Sequence, residues 1–359
     1  MMKNKKLWLC TMVLVSIGLL MVYSSSHIWA LEKFNDEFFY IKRQAIFAFI
    51  GMIGMFCTIH IDYHCYEKHA FKILVVCFIL LGLVLIPGLG KVRGGSRSWF
   101  AIGSISLQPS ELFKIGMIIF AAKYLSVYYH YLKKIKYALI ILGVAFLGFV
   151  LIMFQPDFGT GVVMLGSIVL MVMASPFKFI YFAGLGLVGV LGFVGLILSA
   201  PYRLKRITSF LDPFQDPLGS GFQMIQSLYA IGPGGILGVG FNNSIQKHFY
   251  LPEPQTDFIF AILCEEFGLI GGSLIIILYG LLITCGLKIA TDAKDLFGSF
   301  LALGITSMLG IQIIINLGVV VGLFPVTGVT LPLMSYGGTS LTIVMTCIGI
   351  LINIEQFSR

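Results

Sequence analysis

Long apolar runs alternate with short polar connections along almost the whole chain. An α-helix needs about 20 residues to cross the hydrocarbon core of a bilayer, and ten runs approach that length. The predicted spans are residues 7–24, 43–61, 70–87, 110–129, 136–154, 159–175, 178–199, 257–288, 297–323 and 337–354. The pattern predicts an all-α polytopic membrane protein with ten transmembrane helices and a single membrane domain over residues 1–359.

An even number of spans places both termini on the same side of the membrane. Basic residues gather at the N-terminus and in the short loop between the fourth and fifth spans: Lys3, Lys5, Lys6, Lys133, Lys134 and Lys136. Because an excess of basic residues marks the cytoplasmic side, both termini are expected in the cytoplasm. Residues 88–109 and 200–256 then lie outside, the second as a large extracytoplasmic loop between spans 7 and 8.

Three shorter stretches carry structural expectations. Residues 325–340 form a long polar connection on the outer side, and a re-entrant segment is expected there because irregular backbone at membrane depth must lie against protein or a wet cavity. Residues 221–231 have the amphipathic pattern of a short interfacial helix. The glycines within 232–235 predict a tight turn, since the GK[ST] of a phosphate loop is missing.

Composition narrows the classes of function. The chain is 58% hydrophobic and only 11% charged, which excludes a soluble domain. Its seven cysteines show no CxxC spacing and are expected to be free thiols, and its six histidines lack metal-ligand spacing. Nothing in the chain matches a Ser-His-Asp set or a dinucleotide-binding pattern, which excludes nucleophilic hydrolysis and hydride transfer. The net charge of +8 suits either anionic lipid headgroups or an anionic substrate.

The candidate chemistry lies mostly at the outer ends of the spans. Asp257 stands at the boundary between a polar stretch and the apolar run 257–288. Such an acid is either the N-cap of its helix or a functional group that faces a cavity, partner or substrate, and position alone does not separate the two. Glu265 and Glu266 lie about 12 Å further along the helix. They are expected to hydrogen-bond neighbouring helices, with Gly268 indicating close packing or a kink.

Two further acids stand where the fourth and sixth spans begin. Gln108 and Pro109 precede Glu111 and Lys114, which are three residues apart and share one face of a helix. These two side chains form either a simple ion pair or part of a site. Asp157 is likewise either a helix cap or a site residue on the same side of the membrane.

Four basic residues in the large outer loop are not explained by the cytoplasmic bias: Arg203, Lys205, Arg206 and Lys247. Each one alone suits contact with lipid headgroups. Together, and near several carboxylates, they indicate a binding site for a polyanion, because the planar guanidinium group of arginine matches phosphate oxygens.

Five motifs follow one another along the chain: RGGSRSWFAIGSISLQPSELFK, QPDFGTG, PYRLKRITSFLDPFQDPLGSGFQ, LPEPQTDFIFAILCEEFGLIGG and LPLMSYGGTSL. Together they resemble the SEDS family of bacterial membrane proteins, which comprises FtsW, RodA and SpoVE. Within the family, GSRSW and LPLMSYGGTSL are closer to the FtsW and SpoVE branch than to RodA.

The resemblance implies a ten-helix peptidoglycan glycosyltransferase that polymerises lipid II on the outer face of the cytoplasmic membrane. It also implies a class B penicillin-binding protein as partner and undecaprenyl lipids as ligands, with no nucleic acid. The family's essential aspartate falls on Asp257. Its QPSE..K glutamate and lysine fall on Glu111 and Lys114, and its QPD aspartate falls on Asp157.

The residues suit that chemistry. Joining a sugar hydroxyl to an anomeric carbon that carries a lipid pyrophosphate needs a base for the hydroxyl and cations for the departing diphosphate. Asp257 is the predicted base of a single, inverting displacement. The other predicted substrate contacts are Gln108, Glu111, Lys114, Asp157, Arg203, Arg206, Lys247 and Ser335. A divalent cation, magnesium or manganese, is a further expectation, with Asp257, Asp157 and Glu111 as its candidate ligands.

Two other classes of function remain open at this point. A lipid II flippase would use the same charged residues as a pathway, although most of them lie at the outer ends of the spans rather than through the membrane depth. A non-catalytic scaffold of a division or spore-wall complex would keep its function without the Asp257 carboxylate.

Overall fold

The computed structural model describes residues 5–93, 96–102, 105–178, 210–219 and 221–357, together with 180–181, 183–184, 186, 189, 192 and 194–195. The seventh predicted span therefore lies largely outside the described residues. Arg203, Lys205 and Arg206 lie outside them as well.

The described chain is mostly helical. Its helices are α1 (Lys5–Phe34), α2 (Phe39–His60), α3 (His64–Leu85), α4 (Pro109–Val127), α5 (Ile135–Met153), α6 (Phe158–Met173), α7 (Phe222–Ile231), α8 (Ile259–Asp292), α9 (Leu296–Val320) and α10 (Gly338–Phe357). Among these, seven are long and apolar enough to cross a membrane: α1, α2, α3, α5, α8, α9 and α10. The helical membrane class is confirmed, and the count of ten spans stays a prediction.

Local sequence signals explain where several helices begin. Pro109 stands in the first turn of α4, where a missing N–H has no cost. Asp157 is the N-cap of α6, and its carboxylate accepts a hydrogen bond from the Thr160 backbone N–H at 3.3 Å. Asp295 caps α9 in the same way, accepting from the Gly298 N–H at 2.8 Å. The short helix predicted at 221–231 is present as α7.

The polar connection between α3 and α4 contains three short strands that an all-α fold does not include. They are β1 (Lys91–Arg93), β2 (Ser96–Ile102) and β3 (Ile105–Leu107), paired antiparallel in the order β1-β2-β3. The Thr339 hydroxyl, at the start of α10, donates to the Ser106 carbonyl at 2.7 Å. The small sheet is thereby held against the end of the helical bundle.

Helix α9 lies at the centre of the bundle and packs against α4, α6 and α8, while α10 packs along α2 and α3 along α4. Peripheral helices expose large apolar side chains, such as Phe49 on α2, Phe71 on α3 and Phe146 on α5. An outward apolar surface of this extent is typical of a protein surrounded by lipid. All seven cysteines are free thiols, as predicted.

Helix α8 is kinked at Gly268, where the backbone adopts φ 63° and ψ −160°. The kink frees backbone groups that the preceding loop satisfies. The N–H groups of Val239 and Gly240 donate to the carbonyls of Glu265 and Glu266, each at 3.0 Å. A Cβ on Gly238 would lie 2.2 Å from the Glu266 carbonyl oxygen, so only glycine permits this approach. The expected kink is confirmed.

Candidate functional site

Glu111 and Lys114 lie one turn apart at the start of α4 and are almost fully buried. Lys114 Nζ is 2.7 Å from Glu111 Oε1, and their side chains are 2% and 7% exposed. Lys114 Nζ also donates to Gln312 Oε1 at 3.3 Å. Within the described part of the chain, Glu111 Oε2 has no hydrogen-bond partner. The predicted ion pair is present, and it is buried in the bundle rather than on a solvated face.

Asp157 lies next to this pair and serves two purposes. Besides capping α6, its carboxylate accepts hydrogen bonds from Gln108 Nε2 at 2.8 Å and from Ser110 Oγ at 3.1 Å. Burial raises the pKa of the Asp157 carboxyl, and the nearby charge of Glu111 raises it further, while hydrogen bonds from Thr160 and Ser110 oppose the rise. We call Gln108, Ser110, Glu111, Lys114 and Asp157 the outer cluster.

Asp257 lies two residues before the first residue of α8. The N-cap position belongs to Phe258, so of the two alternatives left open for Asp257 the helix cap is not the one found. The residue is half-buried, and its backbone carbonyl accepts a hydrogen bond from Asn316 Nδ2 at 2.8 Å. Gly328 has φ +75°, and a Cβ placed there would lie 3.7 Å from Asp257 Oδ2. The carboxylate of Asp257 therefore lies beside the segment that contains Gly328.

Residues 321–337, which we call the connecting segment, join α9 to α10 without helical structure, and Leu331, Leu333 and Met334 within it are buried. Side chains of the helices satisfy its backbone. Gln44 Nε2 donates to the Ser335 carbonyl at 2.9 Å, and the Tyr279 hydroxyl donates to the Pro332 carbonyl. Buried irregular backbone needs such partners. Whether residues 325–340 enter the bilayer stays a prediction.

The predicted contact Ser335 lies in this segment. Its hydroxyl accepts a hydrogen bond from the Leu331 N–H at 2.8 Å, and its backbone N–H donates to the Leu331 carbonyl at 3.0 Å. Ser335 therefore stabilises the turn of its own segment.

Two residues that the sequence analysis missed connect the outer cluster to Asp257. Gln312 accepts from Lys114 and donates through Nε2 to the Thr330 carbonyl at 3.0 Å. Asn316, four residues later on α9, donates to the carbonyls of Asp257 and Val329 at 2.8 and 2.7 Å. Their signal in the sequence is a pair of amides at i and i+4 within an otherwise apolar run, GIQIIINLG.

Lys247 lies in a separate place. Its ammonium group donates to Glu266 Oε1 at 3.1 Å, to Asn242 Oδ1 at 2.7 Å and to Ser24 Oγ at 3.3 Å. The side chains of Lys247 and Glu266 are 1% and 0% exposed. Burial lowers the pKa of the Lys247 ammonium, and the charge of Glu266 opposes that effect. We call Ser24, Asn242, Lys247 and Glu266 the Lys247 network. The structure does not join it to the outer cluster.

Glu265 has a structural role as well. One of its carboxylate oxygens accepts from the Ile245 backbone N–H at 2.8 Å, and the other accepts from the Ser244 hydroxyl. The expected hydrogen bond to a neighbouring helix is present for Glu266, which accepts from Ser24 on α1 at 2.5 Å, whereas Glu265 bonds the preceding loop instead.

Neither a search for metal ligands nor the cavity found in the described structure adds a residue to the candidate site. Over the described ranges, no group of three His, Cys, Asp or Glu side chains is placed to hold a metal ion, and the divalent cation stays a prediction. A cavity of about 420 Å³ lies between α1 and α8, lined by residues such as Met21, Leu263 and Phe267. Its lining is apolar and includes neither Asp257 nor the outer cluster.

Comparisons with known proteins agree with these features. A model of the family described as "Cell cycle protein", for FtsW, RodA and SpoVE, matches residues 4–359. The chain is 55% identical to Stage V sporulation protein E of Bacillus subtilis (strain 168), covering 97% of this chain and 96% of that protein. It is 41% identical to the "Probable peptidoglycan glycosyltransferase FtsW" of Geobacter sp. (strain M18), covering 97% and 95%.

Solved structures share the fold. A chain in a structure described as "Structural coordination of polymerization and crosslinking by a peptidoglycan synthase complex" is 30% identical, with a TM-score of 0.78 and coverage of 98% of this chain and 97% of that one. The rod shape determining protein RodA of Thermus thermophilus is 25% identical, with a TM-score of 0.69 and coverage of 98% and 95%. The resemblance seen in the sequence is confirmed, and the chain belongs to the FtsW, RodA and SpoVE family of cell cycle proteins.

Proposed function

We propose that the chain is a peptidoglycan glycosyltransferase that polymerises lipid II on the outer face of the cytoplasmic membrane. The observation that carries the proposal is that a buried cation, Lys114, and the backbone of an acidic residue, Asp257, both hydrogen-bond to side chains of α9. Lys114 and Asp257 are each one hydrogen bond from side chains four residues apart on α9, Gln312 and Asn316. Four residues rise about 6 Å along a helix, and this short separation supports assigning Lys114 and Asp257 to one site.

The proposed reaction uses these two groups on opposite sides of the bond change. The Asp257 carboxylate takes the proton of the attacking sugar hydroxyl as a new bond forms between its oxygen and the anomeric carbon. The bond from that carbon to the lipid pyrophosphate breaks, and the pyrophosphate leaves with the bonding electrons. Lys114 stabilises the charge that develops there, because a cation in a dry site acts strongly on a developing anion. A single displacement of this kind inverts the anomeric carbon.

The rest of the outer cluster orients these groups. Glu111 holds the Lys114 ammonium at 2.7 Å, and Asp157 ties the start of α4 to the start of α6 through Gln108 and Ser110. Arg203 and Arg206 stay candidate pyrophosphate ligands. Lys247 is a weaker candidate, because its three N–H donors already have acceptors and the Lys247 network would have to open.

A class B penicillin-binding protein is the proposed partner. Support comes from the 30% identical chain in a structure described as a peptidoglycan synthase complex that coordinates polymerization and crosslinking. A polymerase that leaves the glycan strand at the outer membrane surface needs a crosslinking enzyme beside it.

A flippase pathway receives less support from the same residues. Glu265 and Glu266 are the acids that lie deepest in α8, and both are engaged in structural hydrogen bonds with Ser244 and the Lys247 network. A liposome assay that scores translocation and polymerisation of labelled lipid II separately distinguishes the two functions.

The direct test is Asp257→Asn in the purified full chain with a class B penicillin-binding protein and lipid II. Loss of the base is expected to lower the polymerisation rate by at least about 100-fold. Asp212→Asn is the matched control, because Asp212 is likewise an aspartate outside the long helices; its carboxylate accepts from the Phe214 backbone N–H at 3.2 Å and makes no hydrogen bond to the outer cluster in the described chain. Wild-type rates from folded Asp257→Asn protein would refute the assigned base.

A further inference from the structure

Asn316 joins three separate parts of the chain through one nitrogen atom. The residue is 1% exposed, and its Nδ2 atom donates one hydrogen bond to the Asp257 backbone carbonyl and one to the Val329 backbone carbonyl. The Asn316 Oδ1 atom has no partner among the described residues. The two donors therefore account for the contacts of this amide, and both are directed to non-helical backbone rather than to a neighbouring helix.

Gln312 forms a parallel bridge one turn earlier. It is also 1% exposed, accepts from the Lys114 ammonium and donates to the Thr330 carbonyl. Thr330 follows Val329 directly, so the two amides hold adjacent residues of the connecting segment. Lys114 and Asp257 are thus tied to the same short stretch of backbone through Gln312 and Asn316.

A buried amide in an apolar helix is costly unless its polar atoms are paired. An apolar side chain at either position would match the surroundings of α9, but the amides instead bond the connecting segment, the backbone of Asp257 and Lys114 on α4. What the amides supply is a fixed distance between a cation and a carboxylate that come from different helices. Catalysis is sensitive to such distances, and a displacement of about 1 Å costs about 100-fold in rate.

We propose that Asn316 and Gln312 are positioning residues of the active site: Asn316 fixes the backbone that carries Asp257, and Gln312 fixes the Lys114 ammonium, both against Val329 and Thr330. This inference rests on the proposed function. It adds that α9 and the connecting segment set the geometry of the site by holding the Lys114 ammonium and the backbone of Asp257.

The test replaces the amide by an apolar side chain of similar size, Asn316→Leu, which removes both donors. Asn353→Leu on α10 is a closely matched control. Asn353 is also 1% exposed and makes two hydrogen bonds to backbone, to the Ile59 carbonyl at 2.7 Å and from the Tyr63 N–H at 3.0 Å. Polymerisation is measured over a range of lipid II concentrations, together with the thermal midpoint of each purified protein.

Asn316→Leu is expected to lower kcat by about 10- to 100-fold with little change in KM, because the base is misplaced while lipid II still binds. Asn353→Leu is expected to lower the thermal midpoint by about as much as Asn316→Leu does, and to leave kcat within about twofold of wild type. Equal kcat for Asn316→Leu and wild type, or equal losses of kcat in both leucine variants, would overturn the inference.

Gln312→Met supplies a second measurement that a merely structural role would not affect. In the otherwise wild-type protein, Gln312→Met is expected to lower kcat by about 10-fold. In a protein that already carries Lys114→Met, the same substitution is expected to lower kcat by less than about twofold, because Gln312 acts through Lys114. If the two substitutions lower kcat additively, Gln312 does not act through Lys114.

The inference and the proposed function fail under different outcomes. If Asp257→Asn polymerises lipid II at the wild-type rate, both fail. If only the Asn316 and Gln312 variants behave as wild type, the inference fails alone.

Discussion

Lys114 and Lys247 are both nearly inaccessible to solvent, and each is paired with a glutamate, yet their surroundings differ. Lys247 donates to three acceptors, which come from α1, from its own loop and from α8. Lys114 has two acceptors within the described chain, Glu111 on its own helix and Gln312 on α9. An ammonium group carries three donors. The three donors of Lys247 therefore all have acceptors in the protein, whereas Lys114 has one donor without an acceptor among the described residues, which the proposed function assigns to the substrate.

The difference supports a structural role for the Lys247–Glu266 pair and the proposed functional role for the Glu111–Lys114 pair. The Lys247 network connects residues 19 and 223 positions apart and holds the outer loop against α1 and α8. The Glu111–Lys114 pair lies within one helical turn and joins no separate elements by itself. Keeping a partly satisfied ammonium buried costs free energy, which proteins tolerate where a substrate completes the site.

The largest expected effect is on stability, from Lys247→Met. Removing one partner of a buried pair leaves Glu266 uncompensated and is expected to lower the free energy of unfolding by about 3–5 kcal/mol. Adding Glu266→Gln should restore much of that loss, since a neutral amide costs less to bury. Both are measured by unfolding of the purified protein in detergent. Lost polymerisation at wild-type stability would instead give Lys247 a role in the site and break the comparison.

The next effect is on catalysis, from the double variant Lys114→Met with Glu111→Gln. Replacing both charges leaves no unpaired ion, so the thermal midpoint is expected to stay near that of wild type. The rate of lipid II polymerisation is expected to fall by about 100- to 1,000-fold, as when one stabilising donor is removed from a transition state. A stable double variant with wild-type turnover would show that Lys114 is as structural as Lys247.

The smallest expected effect is on stability and concerns the kink in α8. Gly268→Ala places a side chain at φ 63° and ψ −160°, a region that in practice only glycine adopts, and is expected to cost about 1–3 kcal/mol of stability. Gly280→Ala, in the same helix with nothing within 4 Å of the added Cβ, should be neutral or slightly stabilising. Equal thermal midpoints for the two variants would show that the kink in α8 does not require glycine at position 268.

Much of the fold follows from local pattern. Apart from the span at 178–199, each predicted apolar run coincides with a helix, because the length and apolar character of a span are properties of consecutive residues. The strands between α3 and α4 were missed. Their short pairs depend on neighbouring strands rather than on a repeated pattern within one segment.

The candidate site was predictable only in part. The motifs identified Asp257, Glu111, Lys114 and Asp157 as candidates, and the structure ties Lys114 and Asp257 to neighbouring turns of α9. Gln312 and Asn316 were missed, because the role of an amide in an apolar run depends on which carbonyl groups it hydrogen-bonds, and the sequence does not show these. For Asp257 the sequence left a helix cap and a functional group equally open, and the structure begins α8 two residues later, with Phe258 at the N-cap.

The amino-acid sequence by itself determined that this chain is a helical membrane protein of the FtsW, RodA and SpoVE family, and which charged residues lie between or at the ends of its spans. Only the tertiary structure decided which partners each charge has. Lys114 stands three residues after its partner Glu111, whereas Lys247 stands 19 residues before its partner Glu266, a pairing that the sequence does not indicate. They differ because partners 198 and 223 residues away complete their surroundings, and the number of donors left over depends on the packing of those distant segments.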